Sequence, residues 1–179
     1  MAEPNEMSVE FLDQFSIQIA RVVIAAGHFD DELTATLTSL LDLKPIQEAA
    51  LVRPMQPRAK LDLLERLSKQ FLSDAKHKQF AKYTKAAKAT LDERNALIHG
   101  SAGHLGGKVS FRSFTGKYKL TGTPQRWSIE RVSDLATALQ DHEKALTKSV
   151  SGLASKKADL QSYQPQKQGH ITRRPPKNG

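Results

Sequence analysis

A permanently charged side chain in the middle of an otherwise apolar helical stripe constrains this chain more than any other feature. At about 100° per residue from Ala75 to His99, the residues Phe80, Ala87, Leu91 and Ile98 share one narrow arc, which Tyr83 and Leu97 widen on one side. Arg94 falls inside that arc. A guanidinium keeps its charge at any ordinary pH, and burying one without an anion costs several kcal/mol. Its position therefore asks for a carboxylate, a phosphate or a subunit boundary. His99 sits about 140° round the helix from Arg94, whereas Asn95 and His99, four residues apart, share a face. A purely structural alternative has Arg94 paired with Glu65 or Asp62 of a neighbouring helix and His99 acting as a cap before Gly100.

The same periodicity orders the rest of the chain. Val9, Leu12, Phe15, Ile19, Val22 and Val23 recur at helical steps, so a first helix is expected from Ser8 to Ala26, stopping at Gly27. Phe11, Ile17 and Ile24 give that helix a second apolar side, as in a central helix or one that meets another subunit. The acids Asp30, Asp31 and Glu32 then read as the first turn of a second helix, carried by Leu33, Leu37, Leu40 and Leu41 and closed by Lys44-Pro45. Prolines at 45, 54 and 57 confine the next stretch to a helical turn over 46–52 and a connector. A third helix is expected from Arg58 to Leu72, with Leu61, Leu64, Leu67 and Phe71 on its stripe and Arg58, Lys60, Glu65, Arg66 and Lys69 off it. The fourth, from Ser73 or Asp74, ends in the Arg94 segment.

Gly100 to Gly107 reads as a flexible loop. Ala102 and Val109 stand where a nucleotide-hydrolysing phosphate loop needs Gly and Ser or Thr, which excludes that motif. Val109 and Phe111, a turn at Thr115-Gly116, then Tyr118 and Leu120 predict a small hairpin. Trp127-Ser128 supplies an anchor and N-cap for a fifth helix, with Ile129, Val132, Leu135, Leu139, Leu146 and Val150 in phase to about Leu153 and His142 on its core or interface side. The expected fold is all-α, an up-down bundle of about five helices with a β-hairpin insertion before the last. The expected division is a domain over 1–154 and a basic, disordered tail over 155–179.

Of 179 residues, 39% are hydrophobic and 26% charged, which suits a soluble globular chain, and the formal charge is +8. From Ser155 onward six basic residues face Asp159 alone. With no cysteine, disulfides, thiolate nucleophiles and Cys-ligated zinc are excluded. The acidic start (Glu3, Glu6, Glu10, Asp13) is unlike a signal peptide, and no apolar run is long enough to span a bilayer. A cytoplasmic protein without a membrane partner is expected. The six histidines show no metal-ligand spacing, so neither a metal site nor a cofactor is expected. On the fourth helix Lys76, Lys78, Lys82, Lys85 and Lys88 make a basic face. Lys85 and Lys88 lie on the same side as Asn95 and His99, a placement suited to attracting phosphates.

The run Arg94-Asn95-Ala96-Leu97-Ile98-His99, an Arg-Asn pair and a His at the end of a long helix that follows KLDLLERL, resembles the R-x4-H signature of the HEPN superfamily of all-helical, often RNA-cleaving domains. The resemblance in pattern extends over residues 8–153. It implies a homodimer in which the motif helices of two protomers meet, with Arg94, Asn95 and His99 as catalytic residues. Lys85 and Lys88, by their side of the helix, and His104 and Lys108, close after the motif in sequence, are the candidate RNA contacts. The implied activity is a metal-independent endoribonuclease, acting as a toxin or defence effector with an antitoxin or defence-complex partner and leaving 2′,3′-cyclic phosphate ends. The alternative of a different class is a HEPN-like dimer without catalysis that binds RNA or protein.

Overall fold

The computed structural model describes the backbone of residues 9–99, 101–105, 108–112, 114–115, 119–120 and 125–161, and the side chains of 9–99 and 127–149. Its architecture is helical. Four long helices, α1 (Val9–Leu41), α3 (Pro57–Phe71), α4 (Asp74–His99) and α5 (Ile129–Gln161), are joined by short pieces that include a single-turn α2 (Pro45–Gln47). α1 packs chiefly on α5, and α3 on α4. The shared core holds Phe29, Leu33 and Leu37 of α1, Leu61 and Leu64 of α3, Phe80, Ala87, Leu91 and Leu97 of α4, and Leu139 and Leu146 of α5.

The two helices expected over 8–41 are one. α1 runs 33 residues, about 50 Å at 1.5 Å per residue, straight through Gly27. A mid-helix glycine costs about 1 kcal/mol relative to alanine. Burial outweighs it: Val22, Phe29, Leu33 and Leu37 are completely buried on either side, and a fully buried Phe or Leu contributes about 1.5–3 kcal/mol. The acids at 30–32 are thus in a helix interior, and their role as a first-turn charge complement falls away. The helix ends instead at Asp42, whose φ of 56° is left-handed. Leu43 N–H donates to Thr38 O and Asp42 N–H to Ser39 O, the paired bonds of a Schellman cap.

After α2 the chain makes one π-helical turn, Glu48–Val52, which buries Val52 and ends in an Arg53–Glu48 ion pair. α3 starts at Pro57, where the missing N–H costs nothing. α5 starts as expected behind Trp127, which is fully buried, and Ser128, whose Oγ accepts the Arg131 N–H at 3.2 Å. It continues to Gln161, across the boundary expected at 154/155. The remainder of the expected tail, 162–179, lies outside the described residues.

Between α4 and α5 the expected strand pairing is not formed. Strand β2 (Lys108–Arg112) pairs antiparallel with β1 (Ser101–Leu105) on one side and β5 (Gln125–Trp127) on the other, rather than with the segment around Leu120. A two-residue pair, β3 (Phe114–Thr115) with β4 (Lys119–Leu120), stands apart. The stretch read as a flexible loop therefore carries β1. Its register runs from Ser101 opposite Arg112 to Leu105 opposite Lys108.

Candidate functional site

The last turns of α4 bring Arg94 to a cleft of about 380 Å³ that opens where α1, the start of α3 and α4 meet. Val23 and Gly27 of α1, Pro57 of α3 and Leu91 of α4 give it apolar walls; Asp30, Arg58, Asp92, Arg94 and Asn95 line the rest. Arg94 is half-buried. Its Nη1 donates to Asn95 Oδ1 at 3.0 Å, while its buried Nε has no hydrogen-bond partner among the described residues. The neighbouring α3 start adds uncapped backbone donors, since Gln56 in the N-cap position makes no side-chain cap bond.

The carboxylates of the neighbouring helices are held by other cations. Asp62 Oδ1 and Glu65 Oε2 receive Lys88 Nζ at 2.6 and 2.9 Å. Glu65 also accepts from the Thr84 hydroxyl at 2.7 Å, and the Lys88 bond, with help from Thr84, holds its carboxyl below the usual carboxylate range. Burial works against the Lys88 charge, but its hydrogen bonds to Asp62 and Glu65 prevail and raise its affinity for the proton. Arg58 Nη1 donates to both carboxylate oxygens of Asp92, at 2.6 and 2.8 Å. Glu93 pairs with Arg131, which also lies 4.2 Å over the Trp127 ring. The pairing of Arg94 with Glu65 or Asp62 allowed by the sequence is absent.

Asp30 on the cleft is bound from below. Lys60, 1% exposed, donates from Nζ to Asp30 Oδ1 at 2.7 Å and to Thr34 Oγ1 at 2.8 Å, and the Thr34 hydroxyl donates on to Asp30 O at 2.9 Å. Lys60, expected off the apolar stripe of α3, is on it. Residues 60, 64, 67 and 71 differ by four, three and four, so Lys60 lies on that stripe, and the signal that singled out Arg94 marks it equally. Arg58 and Asp30 were likewise not singled out for this cleft.

The other sequence candidates are spread more widely. Asn95 is exposed on the cleft margin and steadies Arg94. His99 is exposed at the end of α4 and does not line the cleft, as its angle from Arg94 requires. Lys85 is exposed, while the Lys88 side chain is only 17% exposed and lies in the α3–α4 seam. His104 and Lys108 lie on β1 and β2, with side chains outside the described residues. His142 is half-buried between α1, α4 and α5. Its Nε2 is 3.0 Å from Thr90 Oγ1, and Phe29 and Tyr83 flank the ring, so desolvation keeps its pKa below the ordinary histidine value.

Among the described residues no cluster of three or more His, Asp or Glu is arranged to hold a metal, and no helix is long and apolar enough to cross a membrane. Comparison with family models, curated proteins and solved structures returns no match to this chain.

Proposed function

We propose that the chain is a metal-independent endoribonuclease of HEPN type, an up-down helical bundle that works as a homodimer. The observation that carries this reading is Arg94, half-buried at an open cleft with an unpartnered Nε and no carboxylate of its own, while Lys88 and Arg58 hold the carboxylates around it. A cation desolvated without an internal anion is arranged for an external one, and the planar fork of a guanidinium matches the oxygens of a phosphodiester.

The chemistry follows from RNA carrying its own nucleophile. One imidazole removes the 2′-hydroxyl proton, O2′ attacks phosphorus, and the P–O5′ bond breaks as a second imidazole protonates the leaving oxygen; a 2′,3′-cyclic phosphate and a 5′-hydroxyl result. Arg94 stabilises the charge on the phosphorane oxygens. With a single His99 per chain, the second imidazole comes from a symmetric copy. Asn95 keeps the guanidinium oriented. Exposed Lys85, with His104 and Lys108 as further RNA contacts, draws the polyanion in; Lys88 acts by joining α3 to α4. The function is that of a toxin or defence effector held in check by a partner protein.

A non-catalytic RNA-binding or protein-interaction dimer is the second reading. It is favoured by the exposed apolar residues of α1, Leu12, Ile17, Val23 and Ile24, which suit an interface whether or not chemistry occurs. Incubation of the purified protein with RNA in EDTA separates the two. Cleavage that His99→Ala and Arg94→Ala each abolish, with unchanged circular dichroism, supports the nuclease; RNA left intact by the wild type supports the second reading. A monomer by analytical ultracentrifugation at working concentration refutes both.

A further inference from the structure

The cleft presents an anion as well as a cation. Asp30 lies on it with a third of its side chain exposed. Only Oδ1 is engaged, by the buried Lys60 ammonium, and no other hydrogen bond reaches the carboxylate among the described residues. Lys60 in turn is held by Thr34, whose hydroxyl is anchored to the Asp30 carbonyl, so the ammonium that grips the carboxylate is itself fixed. Arg58 does not neutralise it, being joined to Asp92. A cation suited to phosphate and an immobilised acceptor thus border one volume of about 380 Å³ with apolar walls at Val23, Pro57 and Leu91. That volume lies near the lower end for small-ligand sites, enough for one nucleoside-sized group.

A ligand that fits must carry an anion and a hydrogen-bond donor, joined by a body with apolar faces. Resting on the ribonuclease reading, we propose that this cleft is a base-selecting subsite: Arg94 takes the phosphate and Asp30 accepts a hydrogen bond from the exocyclic amino group of the attached base. Cytosine donates from N4 where uracil, of the same shape, presents the O4 acceptor. A fixed carboxylate welcomes the first and repels the second. Asp30 is then a specificity residue and Lys60 a positioning residue behind it.

The test is binding of 5′-CMP and 5′-UMP to the full-length protein, followed by calorimetry and by amide shifts of α1 and α4. CMP should bind about tenfold more tightly than UMP, the discrimination typical of one good polar contact to a base edge. Asp30→Asn, which turns half of the acceptor into a donor, should bring the ratio to about one. Should that variant be unstable with Lys60 uncompensated, the Asp30→Asn/Lys60→Met pair removes both charges and should give the same loss of preference. Equal affinities in the wild type, an unchanged ratio in the variants, or no binding of either nucleotide at millimolar concentration overturns the proposal. Preference for CMP in a protein that cuts no RNA sinks the nuclease reading and leaves the subsite; RNA cleavage indifferent to cytidine and uridine does the reverse.

Discussion

Removing the two halves of the Lys60–Asp30 pair should have opposite consequences. Lys60 is 1% exposed and donates to Asp30 and Thr34, whereas the Asp30 side chain is 34% exposed. In Asp30→Ala the ammonium stays in the core with only the Thr34 hydroxyl as acceptor. Leaving one partner of a buried pair uncompensated costs about 3–5 kcal/mol, and the partial exposure of this pair lowers that to roughly 2–4 kcal/mol. In Lys60→Met a straight apolar chain of similar length fills the same buried space, while the freed carboxylate turns to water in the cleft. The fully buried charge is the one removed and the carboxylate left behind has water to turn to, so the desolvation cost of the pair is relieved and the change should stay within about 1 kcal/mol of the wild type. Thr34 loses a donor there but keeps its own bond to Asp30 O. For a chain of this size Asp30→Ala should lower Tm by roughly 5–15 °C and Lys60→Met by a few degrees at most. The Asp30→Ala/Lys60→Met double variant should recover most of the loss. Urea unfolding with a common m-value measures all three. If Lys60→Met costs as much as Asp30→Ala, the ammonium is a net source of stability rather than a charge kept for the cleft, and the reasoning fails.

Three further expectations follow from the fold. Gly27→Ala should stabilise by up to about 1 kcal/mol, because the residue is mid-helix and a Cβ there meets nothing within 4 Å; thermal melts check this. Glu65 has its carboxyl held below the ordinary value of 4.5, first by Lys88. Its contribution is therefore present above that pH and is lost as pH falls below it, so the stability gap between wild type and Glu65→Gln should narrow in melts taken from pH 6 to pH 3. His142 is desolvated, so its NMR titration midpoint should lie below 6.5, and stability should decline as pH drops through that region because the unfolded chain takes up the proton first. A midpoint at or above 6.5 would mean that the ring is open to water.

What the sequence made legible was periodicity, and the misses are places where periodicity was overruled by punctuation or applied once too few times. The stripe of α4 put Phe80, Ala87, Leu91 and Leu97 in the core, where they are. Gly27 reads locally as a stop, but Val22, Ala26, Phe29, Leu33 and Leu37 keep helical time across it; one glycine's cost of about 1 kcal/mol is small beside that burial. Beyond Gly100 the short strands have no comparable period, and β2 pairs with partners well separated along the chain, such as Val109 with Trp127 and Phe111 with Gln125, which no local pattern encodes. Lys60 is the most instructive miss. It and Arg94 are both cations on apolar stripes, and sequence distinguishes neither; the difference is that α1 brings Asp30 to the lysine, while Lys88 and Arg58 draw the nearby acids of α3 and α4 away from the arginine. Tertiary structure thus divides two equivalent sequence signals into a satisfied pair and an unsatisfied cation. The unsatisfied one, facing an open cleft, is where an external anion gains most, which is why the nuclease reading rests on Arg94 and not on the more deeply buried lysine.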